Sequence, residues 1–361
     1  MRGLYGHLQI PSKQAFLFMQ DFAAGAGPSK LKARTGEPRR ETTTVHRNGR
    51  TLDVDVYTPE GTPRGGLVLI PGVAPQGKDD PRMVALAGTF ARSGLSVVVP
   101  DLVTLRQLVV LPEHYRDVVA AFQYLHGRED LCPGGRAGIA GLSFAMGPGL
   151  LAALDPTIRD HVRFLFCVGG YHGILATMGF ATTGTFRTGS EPWQRLEPDT
   201  YARWVLCSCL LDHVPHEPSR RAMRTIVDRR IADGRAVIED LVAELTDPGA
   251  VALYELVTND DREQVLALYQ RLSQPMRDAL QAMDLSGRDL SGLKARLILI
   301  HGYEDILIPY TESLDLYRRA GGRHRLYLIH GLGHVTLKKP GPLDAWALLS
   351  SVTAMLRELE R

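Results

Sequence analysis

The sequence predicts an α/β protein with a doubly wound, mostly parallel sheet. Three observations carry that reading. Short, near-continuous apolar runs recur along the chain, as in strands buried on both faces. Stretches with apolar residues at helical spacing separate them, which implies crossover helices on both sides of one sheet. The 361 residues suit one large domain with an insertion, or two domains, with ample length for a core.

At the N-terminus, Phe16, Met19 and Phe22 follow Ser12 at helical spacing and predict an amphipathic helix. The same stretch loosely resembles a secretion signal, but Gln20 and Asp21 interrupt its apolar part. A cytoplasmic location is therefore expected. Lys30 to Arg40 is locally basic and reads as a solvated linker, which closes an N-terminal extension over residues 1–40. From Glu41 the pattern becomes β-like. "TTTVHR" and "TLDVDVYTP" flank Asn48-Gly49, a pair suited to a tight hairpin turn. Val54 and Val56 alternate with aspartates, which predicts a strand with one wet face.

The buried strands follow as "LVLIP" at 67–71, "SVVVP" at 96–100, "AGIAG" at 137–141 and "FLFCV" at 164–168. Two more lie far downstream, "RLILI" at 296–300 and "RLYLI" at 325–329. Between them, Met83, Leu86 and Phe90 mark a helix ending near Gly94, and Tyr115, Val118, Val119, Phe122 and Leu125 mark another. Leu343, Trp346, Leu349, Val352, Met355 and Leu359 predict a closing helix.

That rhythm breaks after Tyr171, for an interval of ~120 residues that is far too long for a crossover loop. The interval has helical faces of its own: Met223, Ile226, Val227 and Ile231; Ile238, Leu241, Val242 and Leu245; Val265, Leu268, Tyr269 and Leu272. The chain thus divides into the extension, a core at 41–170 and 292–361, and a helical cap at 171–291. The cap is expected to lie as a lid over the strand ends; the alternatives are that its helices pack to one side or form a homodimer interface and leave the serine open.

Forty-two lysines and arginines against 40 aspartates and glutamates leave a net charge of +2, without the basic excess of a nucleic-acid binder. No apolar run reaches the length of a membrane span. Four cysteines in so long a chain do not read as a disulfide framework. Cys207, Cys209, Asp212, His213 and His216 cluster in the cap, but one residue between the cysteines is closer than zinc sites favour, and no metal is expected.

Chemistry enters at "AGIAGLSFAMGPG", where Ser143 stands between a strand-like run and a possible helix. Gly141 and Ala145, two residues either side, allow strand and helix to approach closely. A serine hydroxyl is a poor nucleophile without a positioned base. If Ser143 is catalytic, a histidine and an orienting carboxylate should follow, each in a loop just after a strand. "RLILIHGYEDILIP" sets Asp305 beyond one strand, and "RLYLIHGLGHVTL" sets His334 beyond the next. Other readings make Ser143 a helix N-cap, Glu304 or Asp101 the acid, and His330 the base. His301 and His172 read as pocket walls or structural donors.

These residues together resemble the α/β-hydrolase family. Its nucleophile turn is matched by Gly141, Ser143 and Ala145, with alanine where glycine is commoner. Its acid motif, His-Gly-x-x-Asp-x-x-apolar-Pro, is matched by His301, Gly302, Asp305 and Pro309, and its Gly-x-Gly-His by Gly331, Gly333 and His334. The resemblance spans residues 41–170 and 292–361 and implies an α/β-hydrolase fold with Ser143, Asp305 and His334 as a catalytic triad. It also implies an oxyanion hole from the backbone N–H groups of Val73 and Phe144. Pro71 departs from the usual His-Gly before that loop, and Pro148 from an unbroken helix after the serine. Pro148 requires the helix either to start late or to kink.

The expected activity is hydrolysis of a small-molecule carboxylic ester, without metal or organic cofactor. A thioesterase, an amidase or peptidase, a carbon–carbon bond hydrolase and a non-catalytic receptor are the alternatives on the same residues.

Overall fold

The computed structural model describes residues 8–47, 49–320, 324–334, 336–338 and 340–360. Among the described residues ten strands occur: β1 (Arg39–Arg47), β2 (Arg50–Thr58), β3 (Gly65–Ile70), β4 (Leu95–Pro100), β5 (Ala137–Leu142), β6 (Val162–Val168), β7 (Thr185–Phe186), β8 (Gln194–Arg195), β9 (Arg296–Gly302) and β10 (Arg325–Ile329). Eight of them form one sheet in the order β1-β2-β4-β3-β5-β6-β9-β10. β1 and β2 are antiparallel to their neighbours, and the pairs from β4 onward are parallel. All six predicted runs are strands of this sheet, which is doubly wound as expected.

The hairpin pairs Arg47 with Arg50. Gly49 supplies a φ of 72°, and Asn48 lies outside the described residues. One expectation for β2 fails. Asp55 is fully buried instead of facing water, because β2 packs on both faces. Its carboxylate accepts from Arg40 Nε at 2.9 Å, Thr42 Oγ1 at 2.7 Å and Lys78 Nζ at 3.1 Å. Arg40 is therefore a structural cation, and so is Lys32, which donates to Gly27 O at 2.6 Å and lies 3.4 Å from buried Asp21. The 30–40 stretch is tied to the core more than a solvated linker would be.

Two apolar layers cover the sheet. One holds α2 (Pro81–Arg92) and the closing helix, Pro342–Glu358, against residues such as Leu69, Ala140, Phe166 and Ile300. The N-terminal helix α1 (Lys13–Ala24) packs across both of these. Ser12 caps α1 as predicted, its hydroxyl accepting from Ala15 N. Its buried face is Ala15, Phe18 and Asp21, whereas Phe16 and Phe22 are exposed. The closing helix shows a similar slip: Leu343 and Trp346 are exposed and burial begins at Ala347. Spacing alone marks an apolar stripe, and the tertiary neighbours decide which part of it is covered.

The opposite layer includes the short helix α3 (Val103–Arg106), α4 (His114–His126) and α5 (Met146–Leu154). Its apolar cluster runs on without a break into residues of the insertion such as Trp204, Met223 and Leu253. Between β6 and β9 lie α6 (Ile174–Thr183), α7 (Thr200–Ser208), α8 (Glu217–Ala232), α9 (Glu239–Val242), α10 (Pro248–Thr258), α11 (Val265–Arg271) and α12 (Gln274–Met283). β7 and β8 form a small antiparallel ribbon there. The residues predicted to make a helix at 238–245 give only the single turn α9. α13 (Tyr310–Ala320) follows β9, and the closing helix is α14. Among the described residues no helix is long and apolar enough to cross a membrane.

Candidate active site

β5 ends at Leu142, and the chain turns at Ser143 with a φ of 58°, the left-handed region that a side chain rarely adopts. A 3₁₀ turn over Ser143–Ala145 then leads into α5. Turn and helix fold back over β5 so closely that a Cβ added at Gly141 would lie 3.3 Å from the carbonyl of Ala145. The small residues either side of Ser143 meet that constraint. Pro148 sits in the first turn of α5, where its missing N–H breaks no established ladder, so the helix starts late and is not kinked there.

Asp305 and His334 come together. His334 Nδ1 is 2.8 Å from Asp305 Oδ2. The other carboxylate oxygen accepts from the backbone N–H groups of Leu307 at 2.9 Å and Ile308 at 3.0 Å. His301, fully buried, places Nε2 3.0 Å from Ile308 O and 3.3 Å from Asp305 Oδ2. Both of those atoms are acceptors, so His301 carries its proton on Nε2 and accepts on Nδ1 from Ser313 Oγ at 2.7 Å. Burial alone would raise the Asp305 carboxyl, but attraction to His334 when that ring is protonated, with hydrogen bonds from His301 and His334, holds it well below the usual carboxylate range.

Ser143 and His334 line one cavity, together with Val73 and Phe144. The loop carrying Val73 is pinned through Lys78, whose ammonium meets buried Asp55, and Asp80 caps α2 by accepting from Arg82 N at 2.8 Å. Helix α7 of the insertion reaches the same region. Tyr201 Oη donates to Val73 O at 3.4 Å, and Asp199 N to Ile306 O at 2.9 Å. Tyr201, Ala202 and Val205 all line the cavity.

The competing residues are engaged elsewhere. Glu304 accepts from Gly331 N at 3.0 Å and pairs with His330 at 2.9 Å, on the exposed side. Asp101 is bound by Arg106. His172 is buried outside the cavity, its backbone N–H donating to Glu312 at 2.9 Å. His213 stands on a single turn, His216 pairs with Ser219 Oγ at 2.9 Å, and Cys207 and Cys209 are buried thiols. Among the described residues no three His, Cys, Asp or Glu side chains are placed to hold a metal ion.

Gly169, just past β6, escaped the sequence reading. Its φ is 64°, and a Cβ there would lie 3.3 Å from both His334 Cε1 and Asp305 Oδ2. A side chain there would press on the His–Asp pair, which would have to give by a few tenths of an ångström. Only "VGG" at a strand end hinted at it. Phe18, Met19 and Phe22 of α1 also line the cavity, a role that their helical spacing did not reveal.

No protein-family model matches the chain. No curated protein matches it in sequence. Solved structures do match. A protein of Legionella pneumophila described as a hydrolase superposes with a TM-score of 0.59 at 12% identity, covering 96% of this chain and 95% of its own. Dipeptidyl peptidase 4 of Porphyromonas gingivalis gives 0.51 at 10% identity, covering 89% of this chain but only 35% of its own. An esterase from the archaeon Pyrobaculum calidifontis gives 0.49 at 15% identity, over 97% of this chain and 94% of its own. At such identities the likeness to the first two speaks for the fold alone.

Proposed function

On the α/β-hydrolase fold that this chain adopts, we propose a serine hydrolase that cleaves a carboxylic ester. One observation carries the reading. A serine held at a strained strand-to-helix turn shares a cavity with a histidine whose far nitrogen is held by a buried carboxylate. Ser143 Oγ attacks the ester carbonyl as His334 Nε2 takes its proton. His334 then protonates the departing alcohol. Water, activated by the same imidazole, hydrolyses the acyl-enzyme. Asp305 orients the ring and stabilises its charged form. The N–H groups of Val73 and Phe144 are the donors to the oxyanion. No metal or organic cofactor takes part.

The insertion acts as a lid in this reading, supported by the three α7 residues on the cavity wall and by the hydrogen bonds of α7 to the Val73 and Asp305 loops. Ester cleavage is favoured over peptide cleavage because leucine, methionine, phenylalanine and valine dominate the cavity wall. Such a wall leaves the N–H and C=O groups of a bound peptide without partners. A panel of matched ester, thioester and amide substrates, run beside fluorophosphonate labelling, tests the assignment. The expected result is a covalent adduct on Ser143 and turnover of the ester foremost. Labelling without turnover of any substrate would favour a receptor.

A further inference from the structure

We propose that the cavity at Ser143 takes a long aliphatic chain of the substrate, seated beneath the N-terminal helix α1; the proposal rests on the ester-hydrolase reading above. The cavity has a volume of about 550 Å³, in the range of small-molecule pockets. Its walls do not stop at the reacting groups. Ala140 lines it three residues back from Ser143, so it extends roughly 10 Å along β5 at a strand rise of about 3.3 Å per residue.

That inner part lies on the sheet face covered by α2 and α14, and α1 closes it with Phe18, Met19 and Phe22. Ser351 of α14, which also lines it, donates its hydroxyl to Leu348 O at 2.7 Å and so offers the cavity an apolar flank. Charge is confined to the wet side, where Arg82 is largely exposed and paired with Asp80. An apolar space of this depth, opening directly onto a nucleophile, matches an extended hydrocarbon better than a short or polar group.

Helix α1 is a fixed wall. Phe18 packs on Phe90 with ring centroids 4.9 Å apart, and Ser12 N donates to Thr353 Oγ1 of α14 at 3.0 Å. Buried Asp21 accepts from Thr89 of α2 at 2.7 Å. The helix thus presents Met19 and Phe22 to the cavity without itself needing a ligand to fold. The N-terminal extension thereby acts as a specificity element.

The test compares kcat/KM for two pairs of esters. p-Nitrophenyl decanoate against p-nitrophenyl acetate places the chain on the acyl side; decyl acetate against ethyl acetate places it on the alcohol side. In one pair the long chain is expected to win by about tenfold or more, since each buried methylene favours binding by roughly fourfold. Met19→Trp, which fills the space, is expected to cut that ratio about tenfold. Phe16→Trp, on the exposed face of the same helix, should leave it unchanged. No advantage for the long chain in either pair, or equal effects of the two tryptophans, would overturn the proposal. Failure of the hydrolase reading looks different: no ester is cleaved and no fluorophosphonate attaches. In that case calorimetry of decanoate with Ser143→Ala still decides, binding that Met19→Trp weakens supporting the cavity's role and no binding refuting it.

Discussion

His334 Nδ1 stands 2.8 Å from Oδ2 of Asp305, a carboxylate with no solvent exposure. The carboxylate's other oxygen is held by two backbone N–H groups, so it has one direction in which to hold the imidazole. In Asp305→Asn the amide oxygen stays with the two backbone N–H donors, so the NH2 group faces Nδ1 as a donor and selects the wrong tautomer. Asp305→Asn is expected to lower kcat by about 10⁴-fold with the fold retained. Glu304→Gln weakens an exposed pair with His330 but keeps an oxygen to accept from Gly331 N, and should leave kcat within about twofold. The reverse ranking in steady-state kinetics would move the acid by one residue.

Gly169 gives a second test. Alanine there must hold a φ of 64° and push its methyl against His334 and Asp305. The left-handed backbone alone costs about 1–2 kcal/mol. Gly169→Ala should therefore lower the melting temperature and also reduce kcat by about tenfold or more, because the imidazole is displaced. A normal kcat in a correctly folded variant would show that the ring tolerates the shift.

Much of this was legible in the sequence. β10 occupies the five residues that its apolar run marks, and the acid and base motifs fall in loops at the ends of β9 and β10. Local pattern sufficed there because a doubly buried strand is apolar throughout. Asp55 shows the limit. Its alternation with valines reads as a wet face, yet it is a buried acceptor for Arg40 and Lys78, partners distant in sequence. The face of α1 was misread for the same reason: Phe18 is covered by Phe90, while Phe16 meets no such neighbour. Gly169 answers to side chains that arrive from residues 305 and 334.

Glu312 joins the insertion to the core and makes stability depend on pH. It accepts from His172 N at 2.9 Å and Gly173 N at 2.7 Å, and burial pushes its carboxyl up to about 7 against those donors. The folded state therefore binds a proton that the unfolded chain, titrating near the usual 4.5, has lost. The contribution is fully present below about pH 4.5 and is lost as pH rises through 7, on the order of 3 kcal/mol in all. Glu312→Gln keeps an acceptor for both N–H groups and should flatten the fall in denaturation midpoint between about pH 5 and 8. An unchanged pH slope in the variant would assign that fall to another group.

The proposed reaction runs through an acyl-enzyme on Ser143. Its most direct test is the hydrolysis rate of a p-nitrophenyl ester by Ser143→Ala, with circular dichroism and melting temperature confirming the fold. The expected result is a loss on the order of 10⁴-fold or more, as when one member of a cooperating set is removed. Hydrolysis by the folded variant within about tenfold of the parent would contradict it.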